Sequence, residues 1–218
     1  MQIKTTVYDI VGYIVPGLVF LFVGYLGYGH SVKSGLTFDS VISGALSLTG
    51  GRIFLLVIAA YVAGHLLSSV SFFVIKSTIL RTSLFKKFTD DKEILGPKLY
   101  GVFREKFQEV FGFDSDPAPL GVCICYVESK QPAIYSTALI FLSFFGMARS
   151  LSLILILYSL WELVNWAGFK NPQSSGYFFV SLALGLIAFY HYLRFLKYFK
   201  GHILAGFVVP GNTPLSTQ

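Results

Sequence analysis

Cys123 and Cys125 form a C-x-C pair, a residue type that as thiolate binds zinc or cycles through a disulfide. A closed zinc site needs four ligands, and no second cysteine pair and no neighbouring histidine supplies the other two. Dithiol exchange uses C-x-x-C, so that chemistry fails on spacing. Two buried or interfacial thiols in a reducing compartment are the plainer reading. His65 and His191 fall inside apolar stretches, where an ionisable group points to function by default. Two readings stay open for them: a neutral imidazole bonding across a helix interface, or a proton-sensitive or ion-lining group. Glu162 and Asp9 lie near the ends of apolar runs and read as anchors in hydrated headgroups. The chain has no H-E-x-x-H, no G-x-S-x-G, no phosphate-binding lysine loop and no paired carboxylates in an apolar run. An enzyme is therefore not expected, nor is a cofactor or a metal.

The elements that position these groups must be membrane spans. Of 218 residues, 54% are hydrophobic and 13% charged, and mean hydropathy is +0.67. Soluble domains carry roughly a quarter charged residues. A charge of +6 on such a chain is better read against a bilayer than against nucleic acid, and direct nucleic-acid binding is not expected. A hydrocarbon core of about 30 Å needs about 20 apolar residues of helix. Runs of that kind occupy 10–28, 53–75, part of 133–166, and 177–195. The third is about 51 Å of helix, too long for one crossing and too short for two with a turn. Placing Arg149 at the headgroups lets 151–163 cross with Trp161 and Trp166 as far-side anchors, while 133–148 projects beyond; a hairpin bent at Gly146 is the alternative. Pro16 should kink the first helix, and the first apolar run reads as an uncleaved signal anchor.

Fourteen of the 17 basic residues fall on one side of these spans, ten of them between Lys76 and Arg149. The positive-inside rule then puts both termini and the middle segment in the cytoplasm of a multi-pass protein of the bacterial inner membrane. The fold class expected is an all-α membrane protein, with four transmembrane helices and a cytoplasmic helical insertion between spans two and three. Its parts are a transmembrane hairpin (1–80), the insertion (81–132), a long span three with span four (133–200), and a cytoplasmic tail (201–218). The outer loop 30–52 has an apolar part, 41–48, that reads as interfacial.

Within the insertion, Pro97 signals a helix start and Gly112 a stop. Leu99, Val102, Phe103, Phe107, Val110 and Phe111 recur at steps of three and four. The stripe of Phe103, Phe107 and Phe111 must be covered, by anionic lipid, by a partner, or by the extension of span three around 133–145, the cover favoured here. The residues Asp114 to Pro119 read as a turn, and 122–127 as a short strand. Ala60, Gly64 and Ser68 sit four apart on one face of span two, nearly continued by Ser71, a spacing that lets backbones approach; the face is expected to pack against protein, a helix of the same chain or of another subunit, and to be among the contacts of a homo-oligomer. Arg194, Lys197 and Lys200 form a basic tail for a cytoplasmic protein partner.

Three stretches resemble small four-span inner-membrane proteins carried in bacterial phage-defence loci, with the membrane subunit of the Kiwa system as the nearest type. They are YDIVGYIVPGLVF, the basic span exit RTSLFKKFTDDKE, and CYVES leading into FFGMARSLSLILILYSL. The resemblance implies an oligomeric membrane sensor or anchor that works with a cytoplasmic protein. A pore-forming effector or small channel is the other class in view; the lack of a charged ring in any span favours the first.

Overall fold

The computed structural model describes residues 10–31, 43–44, 47–75, 85–113, 119–169 and 172–209, with side chains at 29–31, 86, 169, 172 and 173 left aside. Asp9, most of the outer loop including 41–42 and 45–46 of its interfacial part, the turn at 114–118, the span exit at 76–84 and the tail beyond 209 lie outside the described residues.

All the described elements are helical. A π-helical turn, Ile10–Ile14, leads into α1 (Val15–Ser31); α2 is Gly50–Val74; α3 (Lys86–Thr89) and α4 (Asp91–Leu95) are short. Then come α5 (Pro97–Phe111), α6 (Leu120–Lys130), α7 (Pro132–Phe169) and α8 (Pro172–Val208). Four stretches are long and apolar enough to cross a membrane: Ile10–Tyr28, Gly50–Val74, Pro132–Gly168 and Ser174–Val208. The protein is thus an all-helical, multi-pass membrane protein.

Several expectations change. The stretch 122–127 is helix, not strand: α6 runs through it, since a short β-branched and Cys-containing run fits either conformation until its neighbours decide. Gly146 leaves α7 uninterrupted, which removes the hairpin. Near Pro16 the backbone changes from π to α just ahead of a residue that has no N–H to donate. The basic residues 194–200 are not a tail. They lie inside α8, which continues to Val208 because charge ends an apolar run without ending a helix.

The chain forms two compact units. The first comprises residues 1–74 and 143–192, the second residues 75–142 and 193–218. Helices α7 and α8 contribute to both.

The second unit has an interior of apolar and aromatic side chains. Phe103 and Phe107 of α5, Cys123 and Val127 of α6, Ala138 of α7, and Phe199, Ile203, Leu204 and Phe207 of α8 are buried together. Phe207 is its hub, with ring centroids 5.5 Å from Phe103, 5.8 Å from Phe107, 5.9 Å from Phe111 and 4.6 Å from Tyr126. Gly112, in the left-handed region at φ 73°, stops α5 by donating its N–H to the Gln108 carbonyl. The last carbonyls of α8, orphaned by the helix end, accept from side chains. Gln131 Nε2 donates to Gly206 at 2.8 Å and to Val209, and Lys106 Nζ to Val208 at 3.0 Å. Asp90 caps α4 by accepting from the Lys92 N–H at 2.9 Å, and the next residue, Asp91, pairs with Lys200 at 2.6 Å.

Candidate functional site

In the first unit the contacts are made by small and polar residues. A Cβ added to Gly64 would stand 2.0 Å from the Tyr13 carbonyl oxygen, and one on Gly17 would stand 1.7 Å from that of Ala60. The π turn, α1 and α2 therefore touch backbone to backbone, which only residues without a projecting side chain permit. For Ala60 and Gly64 the partner is thus a helix of the same chain and not, as the oligomer expectation had it, another subunit. That face of α2 is occupied by the chain's own first helix.

The third small residue, Ser68, has a different partner. Arg149 of α7 is 7% exposed. Its Nη2 donates to the Ser68 carbonyl at 3.0 Å and to Ser68 Oγ at 2.9 Å, and its Nε to Ser71 Oγ at 3.1 Å. The guanidinium also lies over the rings of Phe72, at 5.4 Å, and Phe145, at 5.3 Å. Ser71 Oγ is 3.5 Å from Ser150 Oγ. Arg149, expected at the headgroups, thus clamps α7 to α2. A planar fork with several N–H donors suits this, as it spans two hydroxyls and a carbonyl that a single ammonium cannot all reach.

Glu162 also departs from expectation. It is fully buried (0% exposed) and not a surface anchor. One turn earlier on the same face stands Tyr158, also buried. One turn later stands Asn165, and Ser174 of α8 is buried as well. Asn165 Nδ2 and Ser174 Oγ have no hydrogen-bond partner among the described residues. Phe145 against Tyr192, and Ile156 against Gly185, set an antiparallel register that carries Tyr177 and Ser174 to the level of Glu162 and Asn165. Polar groups thus recur along the α7–α8 contact where lipid cannot reach.

His65 is exposed on α2. Its ring stacks on Tyr13 at 3.7 Å and meets Tyr61 edge-on at 4.5 Å. His191 is exposed, with Tyr190 at 5.9 Å.

In the second unit, Phe103 and Phe107 are interior and not a partner surface, and Phe111 is half-buried against the same core. The favoured cover, α7 around 133–145, is there in part through Ile134, Tyr135, Ala138, Phe141 and Leu142; α6 and the end of α8 supply the rest. Arg194 is exposed with Nε donating to Tyr198 Oη at 2.9 Å, Lys197 is half-buried, and Lys200 is committed to Asp91 and the Thr89 carbonyl. Cys123 is buried and Cys125 exposed. Residues two apart on a helix point about 200° from each other, so the pair cannot share a ligand. Burial, helped by the charge of Asp91, pushes the Cys123 thiol up to about 12. Among the described residues no group of three or more His, Cys, Asp or Glu is placed to hold a metal ion.

Sequence reasoning missed Gln131, Asn165 and Phe207, and saw in Ser71 only a near-continuation of the small-residue stripe. Ser68 and Ser71 at i and i+3, opposite a lone arginine in an apolar helix, were the signal that could have given the clamp.

Fold and site together define the class, an all-helical multi-pass membrane protein whose spans are tied by close backbone contact and a buried arginine. No family model, no curated protein and no solved structure matches the chain.

Proposed function

We propose that this protein is a non-enzymatic, oligomeric anchor or sensor subunit of the bacterial inner membrane that recruits a cytoplasmic protein, in the anti-phage setting implied by the resemblance above. One observation carries the reading. Leu99, Val102 and Val110 of α5 are 36–49% exposed and border the buried Phe103 and Phe107 at the open edge of the helix's apolar stripe. Helix α5 is not among the apolar span candidates, so lipid is not the ready cover for this row, and contiguous exposed apolar surface marks protein contact. In this reading the second unit faces the cytoplasm with both termini, in keeping with the ten basic residues between Lys76 and Arg149.

The test is recovery of co-purifying protein from the native host by quantitative mass spectrometry, comparing the wild-type chain with a Val102→Glu, Val110→Glu double variant. Both positions are exposed, so helix content should not change. A stoichiometric partner lost at least tenfold by the variant is the expected result. Equal recovery, or no partner with the wild type, overturns the reading.

The buried polar series at Tyr158, Glu162, Asn165 and Ser174 favours a second reading, a small channel. Steady ion flux across liposomes holding the wild-type chain, abolished by Glu162→Gln, would put that reading first.

A further inference from the structure

The first unit contains a groove of about 550 Å³ between α1, α2 and α7. Its walls are helical faces, with Val23, Gly24 and Gly27 on α1, Leu67 on α2, and Ile154 and Trp161 on α7. No charged side chain lines it. We propose that this groove holds one acyl chain of a membrane phospholipid, a bound lipid distinct from those that pass along the outer faces of the spans.

The groove is made by missing side chains. A Cβ on Gly24 meets nothing within 4 Å, and one on Gly27 comes only to ordinary contact, 3.5 Å from the indole of Trp161 and 3.6 Å from the ring of Tyr158. At the other end of the same helix Gly17 lets backbones touch; here glycine leaves room. An apolar groove open at the surface of the spans calls for an apolar occupant. Water is a poor one, because an ordered water needs two to four polar partners and this lining is almost wholly apolar. The molecules that reach a groove between membrane-spanning helices are lipids, and their chains match its chemistry. With no charged side chain in the lining, the groove selects the chain and leaves the headgroup free. The proposal does not depend on the proposed partner.

Two measurements on the full chain test it. The first is native mass spectrometry of protein extracted from bilayers of phosphatidylethanolamine and phosphatidylglycerol, for the wild type, Gly24→Phe and Leu67→Trp. The wild type should retain one phospholipid per chain with either headgroup, and both filled-groove variants should retain at least tenfold less. The second needs no groove variant. The chain has two tryptophans, so Trp166→Phe leaves Trp161 alone as a reporter on the groove wall. In detergent, its emission should be quenched by a phospholipid with brominated chains along a saturable curve that ends at one lipid per chain. Retention of no lipid, equal retention by the filled variants, or quenching that rises linearly without saturation overturns the proposal. So does protection of Trp161 that appears only as the chain dimerises, which would give the groove to a second copy.

Discussion

The two units are held by opposite means. The first places small residues and buried polar groups inside, with Gly17, Ala60 and Gly64 in backbone contact and Arg149 spread over Ser68 and Ser71, while large apolar side chains such as Phe54, Leu66, Phe73 and Val164 face outward. The second gathers aromatic rings around Phe207 and keeps Glu105, Glu109, Glu128 and Lys130 exposed. Between lipid-facing helices no hydrophobic force remains, so closeness and hydrogen bonds must hold them together. In the second unit apolar rings meet one another, and their burial supplies the force.

The largest effect should come from emptying the aromatic hub. Phe207→Ala removes a ring that meets four others, and about 3–5 kcal/mol should be lost, read as accelerated hydrogen exchange in α5 and α6. In the first unit the damaging change runs the other way, by adding atoms. Gly64→Leu forces α1 off α2 and should lower stability by about 3 kcal/mol in a thermal scan. Were Gly64→Leu silent and a large-to-small change such as Leu66→Ala severe, the first unit would be packed like the second.

Arg149→Lys keeps the charge but not the fork, and should cost about 2 kcal/mol through lost charge-assisted bonds; an unchanged melting temperature would reduce the clamp to a bystander. Gln131→Ala should cost about 1 kcal/mol, by orphaning the carbonyls at the end of α8.

The smallest effect is one of pH. The Cys123 thiol sits well above its ordinary value of 9.0, at about 12, because burial opposes the thiolate. The folded state holds that proton more tightly than the unfolded one, so its contribution to stability is complete below pH 9 and fades as pH rises toward 12. At pH 8 a maleimide should label Cys125 and leave Cys123 untouched until the chain unfolds. Prompt labelling of both would show the second core to be open.

Most of the helical framework was legible because long apolar runs and the Pro97-to-Gly112 stripe leave few alternatives. The helix α5 runs between those two signals. What stayed hidden depended on partners distant in the chain. Glu162 looks terminal when apolar residues are counted, but it is internal because α8 lies over it. Phe207 lies past three basic residues, in the short apolar run 203–209, and nothing local marks it as a hub. Ala60 and Gly64 were recognisable as a close-packing face, yet spacing on one helix does not say whose helix packs there.

That last point is the central claim: the small face of α2 belongs to the chain's own first helix. The direct measurement is cross-linking of a Tyr13→Cys, His65→Cys variant, made with both native cysteines changed to serine, by a short bis-maleimide in native membranes. Those two side chains are stacked 3.7 Å apart between ring centroids. The account predicts a link within one chain, seen as a monomer of altered mobility whose tryptic peptides around 13 and 65 are joined, with a yield unaffected by expression level. A covalent dimer that grows with expression, without the internal link, would contradict it and return the face to a neighbouring subunit.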